Sequence, residues 1–178
     1  MLSSPTRSLA EVQANTSFAA LLWATSRPGI PQVLPSRDEV PVIQALLDHE
    51  CKAYSADPIL MPELLRVGAQ ISEIDEADYV FLGELRSLEP LHEVRTGSDL
   101  YPDKAALVTV RARIGSGQGL RLSGPGVDNE VTLKISGLPD GFWQQRNDLM
   151  RYPKGFDLIL LDGANVIGVP RTTIVEVL

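Results

Sequence analysis

Over the first hundred residues, hydrophobic positions recur mostly at helical spacing. Thr16 and Ser17 precede Phe18, Leu21, Leu22 and Thr25, a pattern that predicts a capped amphipathic helix stopped by Arg27-Pro28-Gly29. A second helix is predicted from Val40 to Leu47, with Pro41 tolerated in its first turn. Pro62 opens a third, running through Leu64, Leu65, Val67 and Ile71, and Ser87–Val94 reads as a fourth. Between them, Cys51–Ser55 and Tyr79–Gly83 read as strands.

Beyond residue 105 the period shortens to two. Val108, Val110, Ala112 and Ile114 alternate with Thr109, Arg111 and Arg113, which predicts a strand with one face in the core and the other in water or on a partner. Leu120 and Leu122, then Val131, Leu133 and Ile135, repeat the alternation, and Gly115–Gly119 reads as the hairpin loop joining the first two strands. Asp140 stands where it can cap a helix carrying Phe142, Trp143, Leu149 and Met150. Apart from Asp157, Phe156–Leu161 is apolar on both faces, as an inner strand should be. Asp162-Gly163-Ala164-Asn165 turns the chain back through Val166–Val169, and Thr172–Val177 closes the fold. The expectation is an α/β fold with a mixed, mostly antiparallel sheet and flanking helices. It forms a single domain over residues 16–178 behind a flexible tail at residues 1–15.

Composition narrows the function. With 44% apolar and 22% charged residues the chain can bury an ordinary core. No run approaches the ~20 apolar residues that span a bilayer, and MLSSPTRSLA at the start lacks the apolar block of a secretory signal. A single cysteine, Cys51, excludes an internal disulfide framework and fits a reducing, cytoplasmic setting. The net charge of −7 repels a phosphate backbone, which argues against nucleic acid as a partner. That charge is concentrated: residues 48–103 hold 13 acidic and 4 basic side chains. Such a stretch is either a solvated surface or a docking face for a basic partner.

Candidate chemistry is sparse. In LRLSGPGV (Leu120–Val127), Gly124, Pro125 and Gly126 form a turn that leads into Asp128-Asn129 and another strand, so no helix follows to receive a pyrophosphate. Pro125 also lacks the N–H an anion nest would use. His49, Cys51 and His92 lack any recognisable oxyanion or orienting group, and no HxxxH or CxxC spacing suggests a metal. None of the four lysines stands in a Schiff-base context, so no cofactor is expected. The corner Gly168-Val169-Pro170-Arg171-Thr172-Thr173 gathers a guanidinium and two hydroxyls beside a strand carrying Asp157. Either Asp157, Pro170, Arg171, Thr172 and Thr173 form an anion site, or Arg171 pairs with Asp157 and fixes a bend.

Three stretches taken together, TSFAALLWATSRPG (Thr16–Gly29), LRLSGPGV and GFDLILLDGANVIGVPRTTIVEV (Gly155–Val177), resemble the PhnH family, the H subunit of the bacterial carbon–phosphorus lyase core complex. The resemblance is dense over residues 16–29 and about 105–178. The resemblance implies a domain similar to the large domain of pyridoxal-phosphate transferases but without that cofactor. It also implies a homodimer in isolation and assembly with G, I and J subunits. That complex makes ribose 1-alkylphosphonate 5-triphosphate from ATP and an alkylphosphonate, releasing adenine. The chain itself would be a structural subunit, with the helix from Phe18 to Thr25 and the one-sided strands from Ala106 to Ser136 as its contact surface and Trp23 as an anchor. The competing expectation is an independent enzyme or dimeric binding protein taking a small phosphorylated ligand at the Asp157/Arg171 corner.

Overall fold

A computed structural model describes residues 7–178. Helix α1 runs over Leu9–Ser26 and starts well before Thr16. Ser8 is its N-cap: the Ser8 hydroxyl accepts from Glu11 N at 3.2 Å while Ser8 N donates to the Glu11 carboxylate at 2.6 Å. Thr16 and Ser17 do not cap; their hydroxyls donate to the carbonyls of Val12 and Gln13 one turn back, which satisfies them inside the helix. Residues 9–15 of the expected tail are therefore helix, while residues 1–6 lie outside the described residues.

The chain continues through β1 (Gln32–Val33), α2 (Val40–Leu46), β2 (Lys52–Ser55), α3 (Met61–Val67), β3 (Gln70–Ile71), β4 (Tyr79–Gly83) and α4 (Glu89–Glu93). Then come β5 (Leu107–Arg111), β6 (Arg113–Ser123), β7 (Val131–Ser136), α5 (Phe142–Leu149), β8 (Asp157–Asp162), β9 (Asn165–Val169) and β10 (Ile174–Val177). Helix α3 stops at Val67 because Gly68 takes a left-handed C-cap (φ +84°), and Ile71 falls in the next strand. Asp140 makes no cap; Gly141 precedes α5 in a left-handed conformation, the end of a turn closed by Phe142 N donating to Pro139 O.

Two sheets result. The larger has seven strands in the order β1-β9-β8-β5-β4-β2-β3, and the smaller has three, β10-β6-β7. In the larger, β3, β2, β4, β5 and β8 run parallel, and at one edge β9 pairs antiparallel with β8 and β1 antiparallel with β9. The expected mostly antiparallel sheet is thus corrected: helices and the small sheet supply the long crossovers that parallel neighbours require. The small sheet alone is purely antiparallel.

The layers follow from side-chain alternation. On β8, Leu158 and Leu160 face one core with the small sheet, α4 and α5, while Ile159 and Leu161 face the other with α1, α2 and α3. The same holds on β4 for Val80 and Leu82 against Phe81. Strand β5, expected to have a wet face, is an inner strand with Val108, Thr109 and Val110 all buried, so it offers no contact surface. Alternation misled here because a threonine beneath helices reads like one in water. After β5 a single residue, Ala112, carries the chain into β6 and the second sheet. Gly115–Gly117 do not form a hairpin loop; they bulge out within β6, where Ile114 and Gln118 both oppose Ile135. The true β6–β7 turn begins at Gly124.

One topological feature matters for function. The β2–α3–β3 crossover runs toward one edge on one face, and β4–α4–β5 runs toward the other edge on the opposite face. A single crossover hand requires that pairing of direction with face. The strand order therefore reverses between β2 and β4, and the crevice beyond their carboxyl ends is where open parallel sheets place ligands.

Candidate functional site

The Asp157/Arg171 corner lies at the amino end of β8, away from that crevice. Arg171 N and Nε donate to Asp157 Oδ1 at 2.8 and 3.3 Å, and Nη2 donates to Oδ2 at 2.8 Å. Its Nη1 donates to the carbonyl of Pro102. A second arginine braces the corner from behind. Arg146 of α5, 1% exposed, donates from Nη1 to Thr173 O at 2.8 Å and from Nη2 to Pro170 O at 2.7 Å. Its neighbour Asn147 reaches Val175 O at 2.7 Å. Burial pushes the Arg146 guanidinium down to about 10, against the opposing charge of Asp157, so it stays charged near neutrality. Thr173 is buried, and Thr172 presents its carbonyl to Gly124.

The Gly124-Pro125-Gly126 turn, closed by Val127 N donating to Gly124 O, is held by close approach. A Cβ on Gly124 would stand 2.9 Å from Thr172 O, and one on Gly126 only 2.4 Å from Ser26 O at the end of α1. Helix α1 also lies on β9: a Cβ on Gly168 would meet Ala24 O at 2.5 Å. Gly29 N donates to Gly168 O. The three stretches singled out by sequence therefore meet at one junction of α1, β9 and the small sheet.

The histidines and the cysteine do not assemble. His49 is exposed, with Nε2 4.0 Å from Glu50 rather than near Cys51, and His92 is exposed on α4. Cys51 Sγ instead donates to Asp48 Oδ1 at 3.3 Å, and burial pushes the thiol up. Among the described residues no group of three or more His, Cys, Asp or Glu side chains is placed to hold a metal ion. Nor is any helix among them long and apolar enough to cross a membrane.

Sequence reasoning missed the crevice at the carboxyl ends of the parallel strands. It comprises a hollow of about 540 Å³ reaching from the end of β4 past β5 and β8 to the small sheet, and one of about 280 Å³ between β2 and β4. Glu84, Arg86 and Arg111 line both. Arg113 and Asp162 line the larger, and Asp57 the smaller. Arg111 donates from Nε and Nη2 to a single oxygen of Glu39, at 3.1 and 2.7 Å, and Nη2 lies 3.6 Å from Asp57. These contacts, the Glu39 hydrogen bond first, hold the Arg111 pKa above its ordinary value. Glu39 is fully buried, yet its second oxygen has no partner among the described residues. Asp162 Oδ2 accepts from Ile114 N at 3.0 Å. In the sequence Arg111 and Arg113 passed as the polar half of an alternating strand. The one available signal was their position directly after an apolar inner strand.

Comparison with known proteins agrees with the motif reading. Residues 8–176 match the model of a family described as bacterial phosphonate metabolism protein (PhnH). A Stutzerimonas stutzeri protein named as the C-P lyase subunit HtxG is 36% identical over 168 residues, covering 89% of this chain and 83% of that one. Subunit PhnH of an alpha-D-ribose 1-methylphosphonate 5-triphosphate synthase from Rhizobium meliloti is 26% identical over 183 residues, covering 92% and 90%. With nearly its whole length matched, the chain belongs to the PhnH family.

Proposed function

We propose that the chain is a subunit of a carbon–phosphorus lyase system in phosphonate catabolism and acts there through its surfaces rather than as a separate catalyst. The near full-length match to a protein named as a C-P lyase subunit carries this reading. At the Asp157/Arg171 corner the guanidinium donors are engaged internally, which disfavours the rival reading of a phosphorylated ligand there. By contrast, α1 is apolar on more than its buried stripe. Val12, Phe18, Leu22 and Trp23 are exposed on a helix whose only charged residue is Glu11. Four exposed apolar side chains on one helix call for cover, and aromatic residues such as Trp23 commonly anchor interfaces.

The expected partners are a second copy of the chain in isolation and G, I and J subunits in the complex. The finer likeness to the large domain of pyridoxal-phosphate transferases belongs to the same proposal, supported by a largely parallel sheet with helices on its faces. Affinity purification of the tagged chain from its native host during growth on a phosphonate should recover the other three subunits in stoichiometric amounts. Recovery of the tagged chain alone would overturn the subunit reading. Light scattering of the pure protein should give twice the 19.4 kDa chain mass, and a monomer at micromolar concentration would remove the homodimer.

A further inference from the structure

We propose that the free edge of β3 is a docking site for an extended, lysine- or arginine-rich segment of a partner protein, which adds to the large sheet as a further strand. The proposal goes beyond the subunit reading and does not depend on it.

The backbone gives the first support. Strand β3 ends the order of the seven-stranded sheet, with β2 on one side and no strand on the other among the described residues. Gln70 N donates to Cys51 O at 2.9 Å and Ser72 N to Ala53 O at 3.0 Å, so Gln70 and Ser72 make the parallel ladder to β2. Ile71, between them, turns its N–H and C=O away from β2 and off the sheet. Outward groups of this kind are a template for another strand, and neither a proline nor a lysine stands on β3 to blunt it.

The surroundings give the second. Beside the edge is a hollow of about 420 Å³ lined by Lys52, Gln70, Ile71, Ser72, Glu73 and Glu76. Ile71 is 44% exposed, and Leu65, on the helix that leads into β3, is 61% exposed. Apolar surface therefore accompanies the open backbone.

Charge selects the occupant. Residues 48–78, which build this edge, hold eight acidic and two basic side chains, a net of −6 against −7 for the whole chain. Both bases are engaged, Lys52 with Glu76 and Arg66 with Glu63. Glu73 and Asp75 are exposed and form no ion pair among the described residues. The acidic stretch that sequence alone left as a solvated surface or a docking face thus falls largely on an open sheet edge. Nucleic acid is repelled there, whereas a basic segment is attracted along its length. A strand this short offers a single outward donor and acceptor pair, so main-chain pairing sets direction and register while the carboxylates add attraction. That attraction weakens as salt rises.

Nuclear magnetic resonance titration of the labelled full-length chain tests this, with a blocked peptide of alternating lysine and valine as the probe. The lysine–valine peptide should bind at least tenfold more tightly than its glutamate–valine counterpart, with an affinity that falls as salt rises. It should also slow hydrogen exchange at the Ile71 amide at least tenfold, whereas spermine, a cation without a peptide backbone, should leave that exchange unchanged. Ile71→Pro removes the outward N–H and keeps the donors of Gln70 and Ser72, and should weaken binding at least threefold. The exposed double variant Glu73→Gln/Asp75→Asn should also weaken it at least threefold with an unchanged thermal melt, and it carries the test should the proline variant not fold. Absence of binding at millimolar lysine–valine peptide would overturn the proposal. So would equal binding of the glutamate–valine peptide, unchanged exchange at Ile71, slowing of that exchange by spermine, or an unchanged affinity in the double variant. Co-purification with other subunits is a separate readout, so failure here leaves the subunit reading standing, and the reverse.

Discussion

Gly168→Ala probes the junction on which the shared motifs converge. The glycine sits on β9 without a positive φ, so an alanine there suffers no backbone strain of its own. Its Cβ, however, would stand 2.5 Å from Ala24 O, 2.7 Å from Ala24 C and 2.8 Å from Thr25 Cα. All three are backbone atoms of α1, so no side chain can rotate away and the helix must retreat from the sheet. Overpacking of this kind costs about 1–3 kcal/mol, and three backbone contacts place the change at the upper end, about 3 kcal/mol. For a chain of this length that corresponds to a melting temperature lower by roughly 6–12 °C. Gly119→Ala is the matched control. It also lies in a strand without positive φ, and its nearest neighbour would be Leu178 Cβ at an ordinary 3.4 Å. That variant should be neutral or slightly stabilising, since the unfolded chain loses freedom. The assay is thermal unfolding followed by circular dichroism on both variants and the parent. Equal melting of the two variants would refute the claim that α1 is seated by the absence of a side chain at 168.

Three further outcomes are expected. Arg171→Ala should lower stability by about 2–3 kcal/mol in urea unfolding, below the 3–5 kcal/mol of a fully buried pair because both partners keep some solvent; a variant that melts and assembles like the parent, yet silences the complex, would instead mark an anion site. Arg146→Met should cost about 3–5 kcal/mol by the same measurement, since it strips the carbonyls of Pro170 and Thr173 of charged donors, and a loss under 1 kcal/mol would show that the corner holds itself. The isolated protein incubated with ATP should release no adenine above a protein-free control by chromatography, and release proportional to protein would establish an independent activity.

How much of this was legible in the sequence depends on the range of the interaction. Val40–Leu46, Lys52–Ser55, Tyr79–Gly83 and the β8–β9 hairpin were readable because their signals lie within a few residues. The start of α1 was missed because a hydroxyl pair inside a helix resembles a cap when its carbonyl partners are unknown. Strand direction was missed because an alternating pattern carries no sign, and β5 looks the same paired either way. The Asp157–Arg171 pair, 14 residues apart, was one of the two readings the sequence offered for the corner, since an acid in an apolar strand needs a counterion. Arg111 and Glu39 are 72 residues apart and lie on opposite sides of that reasoning. Glu39 sits in the polar run Ser36–Glu39 and reads as solvent-facing until the sheet closes over it.

This contrast also separates what a motif can report from what a site requires. Gly124, Gly126 and Gly168 mark places where backbones approach to within a side chain's width, and such constraints are local in sequence on each side of the contact. They lie in the stretches whose resemblance pointed to the family. The crevice draws Asp38, Glu84, Arg86, Arg111, Arg113 and Asp162 from five segments, and apart from Asp38, whose left-handed backbone (φ +65°) restricts the residue, none of these positions needs a special residue to form its own element. The residues that make the fold recognisable are therefore a different set from those that face the crevice, and substitutions in one can be made without altering the other. A chain could retain the whole glycine junction while changing the crevice lining, because the two sets of residues do not overlap.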